Sequence, residues 1–383
     1  MGLRPMKYMG SKRAMLMNGL GELLRIEAKT CHRVVDLFCG SASVSWFSAQ
    51  ELGKPVLATD LQEYAVVLAE SVIGRESPIC AKQIKGIWLR RASDVRKSYS
   101  VWTKAQKLDS RGLNTAAWSK QARTLCDEKA SCGGLIWRSY GGHYFSPTQA
   151  LAFDAMLESL PEGYNERKVC LAAAIIAASK CVAAPGHTAQ PFRASRTAAK
   201  FLREAWLRDP FHYAMEALNM LCHKHALRRG EAKVGDANII ATELNENDLV
   251  FVDPPYSGVH YSRFYHVLET IARGRCGNVE GVGRYPPSSE RPMSRYSRKR
   301  ESTQAMKELL SKLSSRGCKV IVTFPAGECS NGLTGSNVER MAKALFHVER
   351  KVIISCFSTL GGNNHYRKAR SVGKEMILML SPD

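Results

Sequence analysis

The sequence predicts an α/β fold: a largely parallel sheet built from both ends of the chain, with a largely helical insertion between them. Three observations lead there. Short apolar runs alternate with helical patterns up to about residue 75, and the alternation resumes near 233. Strand-helix alternation is the pattern of parallel sheets, whose crossovers need helices. Between those limits the apolar residues recur at helical spacing with few strand signals. Finally, 383 residues at 45% hydrophobic content suffice to bury a full core and argue against a disordered chain.

In chain order, Val34 to Phe38 is a first strand, followed by a turn of small residues and a helix to about Leu52. Val56 to Asp60 is a second strand and Tyr64 to Val72 a second helix. In the insertion, helices are expected at 148–159, 164–184 and 196–226. The apolar stretch Cys170 to Ala184 is broken by Lys180 and is too short to span a bilayer, so it reads as a buried helix. After 233, strands are expected at 249–252, 319–323, 351–356 and 374–380, with helices at 302–315 and 336–347. Residues 278–300, rich in Pro, Ser, Arg and Tyr, read as a long mobile loop.

The charge bears on partners. Lys and Arg number 55 against 35 Asp and Glu, a formal net charge of +20. Such a surplus suits a polyanion, nucleic acid before an anionic membrane. It is densest at 80–130, where twelve basic residues face four acids and Trp88, Trp102 and Trp118 are interleaved. This stretch, extended to 145, is the expected DNA-contacting region, with 284–300 second. The twelve cysteines contain no CxxC pair, and Met1–Lys7 lacks the apolar core of a secretory leader. Reduced thiols in a cytoplasmic protein are expected. Cys222-His223-Lys224-His225 lacks a second ligand cluster, so no metal is expected.

The most specific motif is Asp253-Pro254-Pro255-Tyr256, directly after the apolar run Leu249–Val252. The Asp253 carboxylate and the Pro254 carbonyl can both accept hydrogen bonds from an exocyclic amino group. The prolines fix the backbone so that both acceptors are held ready. Tyr256 offers a ring face to a planar base. The bland alternative is a strand that ends in a proline turn. The second motif is Asp36-Leu37-Phe38-Cys39-Gly40-Ser41-Ala42-Ser43, a strand, a turn of small residues and a helix start. It holds one glycine where a nicotinamide or flavin fingerprint needs three, which disfavours a dinucleotide oxidoreductase. Asp60 follows about twenty residues later, a spacing that suits ribose hydroxyls; a helix cap is the alternative.

Taken in order, these pieces resemble the Dam-like class of DNA adenine-N6 methyltransferases. Lys7-Tyr8-Met9-Gly10-Ser11-Lys12 resembles the class's N-terminal segment, Asp36 to Ser43 its cofactor loop and Asp60 its ribose acid. Asp236 resembles the acid that faces the cofactor's adenine, and Asp253 to Tyr256 the catalytic tetrapeptide. Tyr366–Arg370 and Lys374–Leu378 are similar to its C-terminal strand. The resemblance covers roughly 1–75 and 233–380. The loop departs from the class where Ser41 and Ala42 follow Gly40, since many members carry a second glycine there.

The resemblance implies a Rossmann-like methyltransferase sheet over 1–75 and 233–383, with a helical target-recognition region over 76–232. It implies S-adenosylmethionine as cofactor, bound by Lys7, Tyr8, Gly10, Lys12, Asp36, Phe38, Cys39, Gly40, Ser41, Ala42, Ser43, Asp60 and Asp236. Asp253, Pro254, Pro255 and Tyr256 would be catalytic, acting without a metal on an adenine flipped out of double-stranded DNA. A bacterial or phage setting is implied, with a cognate restriction endonuclease as a further partner and a monomer or dimer as the assembly. Tyr261, Arg263, Tyr265 and His266 would lie near the flipped base or the DNA backbone, or else form a helix start packed on the sheet. An RNA adenine methyltransferase and a catalytically silent DNA-binding scaffold are the competing readings.

Overall fold

The structure is a computed structural model and describes residues 12–358 and 370–382. Lys7, Tyr8, Gly10 and the 366–369 segment lie outside the described residues.

Seven strands form one sheet: β1 (Arg33–Asp36), β2 (Val56–Asp60), β3 (Glu231–Val234), β4 (Asp248–Val252), β5 (Lys319–Pro325), β6 (His347–Ser358) and β7 (Arg370–Ser381). Their spatial order is β3-β2-β1-β4-β5-β7-β6. The first five in that order pair in parallel, and β7 runs antiparallel to both neighbours. This is a Rossmann-like methyltransferase sheet. Its central strands read as continuous apolar runs because helices cover both faces: Val34, Val35 and Leu249–Val252 are all buried. β3 lies at the edge, is short and charged, and is largely exposed, which keeps it from pairing further.

The chain moves outward from β1 through β2 to β3, and on the other side from β4 to β5. The order therefore reverses between β1 and β4, where ligands of open parallel sheets bind beyond the strand ends. Asp36 pairs with Phe251 across that boundary, so both sequence motifs leave the same edge from adjacent strands.

The chain divides into two compact units. The sheet unit comprises Met9–Ser77, His225–Tyr261 and Pro292–Asp383. The helical unit comprises Pro78–Lys224 with Ser262–Arg291. The expected boundary at 76–232 had not separated 262–291, which leaves the sheet after the tetrapeptide and contributes helix His266–Arg273 to the helical unit.

At the centre of the helical unit, Tyr164–Cys181 is buried over most of its length by alanines and isoleucines. The helix expected over 196–226 is two helices, Ala199–Trp206 and Pro210–Cys222. Asp209-Pro210 makes the break. Proline disfavours helical backbone at the residue before it and suits a first turn, and Asp209 caps the Phe211 N–H at 3.0 Å.

The 278–300 segment carries two short 3₁₀ turns, Ser288–Glu290 and Arg295–Ser297. Specific bonds hold it along its length. In the helical unit the Tyr144 hydroxyl donates to Gly283 O (2.9 Å) and Tyr285 to Ala189 O (2.5 Å). In the sheet unit Arg295 pairs with Glu308 and Tyr296 donates to Asn238 Oδ1 (2.6 Å).

Candidate active site

The turn after β1 is wound tightly. Gly40 has φ +48°, and Ala42, which precedes helix Ser43–Glu51, has φ +59°. The left-handed conformation is natural for glycine and strained for alanine. Cys39 N–H donates to Thr59 O (2.9 Å) and Gly40 N–H to Asp60 Oδ2 (3.0 Å), which ties the turn to the end of β2. The other Asp60 oxygen accepts from Gln62 N–H (3.0 Å) just before helix Glu63–Ile73. Both Asp60 oxygens are thus engaged by the backbone, the capping side of the alternative, yet each keeps a lone pair for a hydroxyl. Burial pushes the Asp60 carboxyl up to about 6.

Beneath the turn, Ser45 Oγ donates to Asp36 Oδ2 (2.6 Å), while Oδ1 is buried without a partner among the described residues. Burial, with the nearby charges of Asp253 and Asp60 adding to it, pushes Asp36 up to about 7. Cys39 is buried, and its thiol is held well above its usual range for the same reason. Phe38 packs edge-on against Tyr296 at 5.1 Å. Asp236 caps helix Ala237–Ile240 by accepting from Asn238 N–H (2.8 Å), and the Asn238 side chain accepts from the Tyr296 hydroxyl. Phe38 and Asp236 are therefore joined through Tyr296 and Asn238.

At the end of β4, Asp253 Oδ1 takes two bonds. Lys12 Nζ lies 3.0 Å away and Thr323 Oγ1 donates at 3.0 Å. Among the described residues Oδ2 has no partner, and the side chain is 16% exposed. Lys12 also donates to Glu375 Oε1 on β7 (2.8 Å), and its side chain is 4% exposed. Burial works against the Lys12 charge, but the two carboxylates more than offset it and hold its pKa above the ordinary value. Asp253 is shifted up by burial, with Lys12 countering that and Glu375 reinforcing it.

The tetrapeptide backbone is fixed by Asn331. This fully buried amide donates to Pro255 O (3.0 Å) and Tyr296 O (2.9 Å), and accepts from Leu333 N–H. Tyr256 packs partly buried against the core under the sheet's helices, and burial pushes its hydroxyl up to about 12, so it is a neutral phenol.

The structure brings Asp36, Phe38, Cys39, Gly40, Ser41, Ala42, Ser43 and Asp60 together on one turn, with Asp253 to Tyr256 on the neighbouring strand end. Lys12, expected with the cofactor residues, meets Asp253 directly. His266 and Tyr265 are buried in the helical unit. His266 Nε2 lies 2.9 Å from Gly283 O, and burial pulls its pKa down to about 4. Glu375, Thr323, Asn331 and Tyr296 were not identified from the sequence. Glu375 carried a signal, an acid at the head of the apolar run Met376–Leu380; the other three are ordinary loop and strand residues whose partners lie far away in the chain.

Among the described residues Asp253 and Glu375 share Lys12, with the carboxyls of the buried Asp36 and half-buried Asp60 nearby, so the acids outnumber the cation and suit a cationic ligand. The small-residue turn leaves backbone accessible to it. A sulfonium cofactor with a ribose fits both features. Among the described residues no group of three or more His, Cys, Asp or Glu could hold a metal ion.

A Rossmann-like sheet with a reversed β7, a one-glycine turn after β1 and Asp-Pro-Pro-Tyr after β4 defines an amino-group methyltransferase class. The model of the D12 class N6 adenine-specific DNA methyltransferases matches residues 8–116 and 182–323, about two thirds of the sequence, and the chain belongs to that family. It is also similar to a modification methylase LlaI of Lactococcus lactis subsp. lactis, 22% identical over 319 residues. That match covers 80% of this chain and 44% of the relative, so the chain spans less than half of the relative's length.

Proposed function

We propose that the chain methylates the exocyclic N6 of an adenine in double-stranded DNA, with S-adenosylmethionine as donor. The observation that carries this is the state of Asp253: one oxygen is pinned by Lys12 and Thr323, and the other has no partner among the described residues at the strand end beside the cofactor turn.

Adenine N6 is a weak nucleophile because its lone pair is delocalised into the ring. Asp253 Oδ2 and the Pro254 carbonyl would each accept one N6–H, drawing the lone pair back onto nitrogen and stabilising the positive charge that develops there. Lys12 keeps Asp253 in one orientation and counters part of the burial that favours its protonated form. Asn331 holds the Pro255 peptide, and so the prolines, in place. Tyr256 would stack on the base, worth roughly 1–3 kcal/mol. S-adenosylmethionine supplies a methyl group activated by its sulfonium, so alignment is the main task left to the protein. After transfer the surplus N6 proton leaves to water.

A base paired inside a duplex cannot reach a carboxylate at a strand end, so the target adenine must swing out. The helical unit would read and hold the surrounding DNA. Trp88, Trp118 and Trp137 are core residues whose indole N–H groups bond inside that unit, so these three do not serve as stacking platforms, whereas Trp102 is half-buried with the Arg96 guanidinium over its ring. Its basic side chains remain the candidate contacts. A role beside a restriction endonuclease in a bacterial or phage setting follows from the same reading, as does the cytoplasm; among the described residues no helix is long and apolar enough to cross a membrane.

The test is transfer of labelled methyl to unmethylated plasmid DNA, with bulk RNA in parallel. Label recovered as N6-methyladenine in DNA supports the reading. Label on RNA alone overturns the substrate, and label on neither, with cofactor bound, overturns the activity.

A further inference from the structure

Away from this site, cationic side chains of the helical unit gather on one turn. Helix Leu135–Tyr140 ends there, and Gly142 continues it with φ +70°. A Cβ at Gly142 would meet the Arg123 backbone at 2.8 Å, so helix Thr115–Glu128 packs directly on the turn. Two guanidinium groups are fastened to its carbonyls. Arg284 donates from Nε to Ser139 O (2.9 Å) and from Nη2 to Arg138 O (2.9 Å), and Arg123 donates from Nε to Gly142 O (3.2 Å). Arg284 adopts φ +51°, a conformation a non-glycine residue keeps only where its surroundings over-determine it.

Neither guanidinium has a carboxylate within ion-pair distance among the described residues. Asp127 is the one acid whose charge reaches Arg123; burial, then Arg193 and Arg284, work in the opposite direction. His143 lies on the same turn, and burial with the fields of Arg284 and Arg123 pulls its pKa down to about 3, so it adds no charge. Arg123 and Arg284 therefore meet at one turn, each oriented by main-chain carbonyls with further N–H groups to spare, and the exposed Arg193 is near enough for its charge to act on Arg123. Like charges repel, and an anion with several oxygens relieves that repulsion by accepting from more than one guanidinium.

We propose that Arg123, Arg193 and Arg284 form a clamp for a phosphodiester group of the DNA backbone. The clamp rests on the reading of the chain as a DNA methyltransferase and gives that reading a located contact. Arg123 and the turn itself fall within 117–181, which the family model does not match, whereas Arg193 and Arg284 fall within the matched 182–323.

The experiment measures binding of a duplex oligonucleotide across a salt series, for the wild type, R193Q and R123Q/R284Q, with thermal unfolding alongside. Each lost phosphate contact lowers the slope of log K against log salt by about 0.9. We expect a fall of about one for R193Q and about two for the pair, with weaker binding to every sequence alike. Arg193 is exposed and its side chain makes no hydrogen bond to the described residues, so R193Q also decides the matter if the pair fails to fold. A wild-type slope in R193Q, or in a folded R123Q/R284Q, overturns the clamp. R123K/R284K separates charge from bracing: recovery of the slope supports phosphate contact, and a slope still lowered by two assigns these arginines to holding the turn. Failure of the underlying reading shows separately, as wild-type protein that transfers no label to duplex DNA.

Discussion

Asp109 and Asp154 in the helical unit and Asp36 and Asp253 in the sheet unit are all largely withdrawn from water, yet their oxygens are treated differently. Asp154 accepts from the backbone N–H groups of Gly134, Ile136 and Trp137, at 3.1, 2.6 and 2.9 Å. Asp109 accepts from Trp118 Nε1, Ser146 Oγ and both the backbone and the hydroxyl of Thr148. Each of these carboxylates is a brace, with its acceptor capacity used inside the fold. Among the described residues Asp36 has one oxygen without a partner, and Asp253 has both of its bonds on one oxygen. A buried acceptor without a partner costs free energy, and Asp36 Oδ1 is one among the described residues. Neither burial nor pKa makes this distinction, since Asp36 and Asp154 are both pushed up to about 7.

The largest expected effect comes from Asp253→Ala. Methyl transfer should fall by at least about 10²–10³-fold, the scale of losing one preorganised polar group. The fold should survive, because Lys12 keeps Glu375 as a partner. Labelled transfer measured beside cofactor binding and the unfolding midpoint checks this; equal loss of binding and transfer would show that Asp253 is a brace as well.

Asp154→Ala should do the reverse. It strands three N–H groups at the start of helix Leu135–Tyr140 and should cost about 3 kcal/mol or more by urea unfolding. An unchanged midpoint would remove the distinction drawn here.

The pH dependence of stability is the next effect. Asp36 and Asp60 hold their protons more tightly in the folded chain than the ordinary 3.8 allows, at about 7 and about 6. Their contribution is fully present below about pH 4 and is lost as pH rises through those values. Asp36→Asn removes one of the two groups and keeps an acceptor for Ser45. Unfolding followed from pH 4 to 8 should show a shallower decline in the variant, and a parallel decline would mean that Asp36 is ionised throughout.

Ala42→Gly should have the smallest effect. It relieves a left-handed alanine worth about 1–2 kcal/mol, offset by the roughly 0.5–1 kcal/mol that glycine's greater unfolded freedom costs. A midpoint equal to or slightly above that of the parent is expected. A clear fall would show that the Ala42 methyl packs usefully in the turn.

Much of the site was legible because its parts are local. A small-residue turn must follow its strand, and Asp-Pro-Pro-Tyr must end one; both follow from a few adjacent residues. The seven-strand sheet was largely readable for a related reason, since buried parallel strands are apolar throughout. β3 was not read as a strand, because its Glu231-Ala232-Lys233-Val234 lacks that run and is held only by pairing with β2. The break at Asp209-Pro210 carried a local signal that the apolar pattern across 196–226 obscured.

The sequence by itself determined the fold class, the two motif turns and the strand ends on which they sit, because short-range backbone chemistry and hydrophobic periodicity decide those. Only the tertiary structure decided which carboxylates are braces and which are left with an open oxygen. It joined Lys12 to Asp253 and Glu375 across most of the chain's length, and set Asn331 behind the tetrapeptide. It also brought Arg123 and Arg284 to one turn from separate passes of the chain. Such pairings depend on where distant segments come to rest, and no local pattern of residues encodes that.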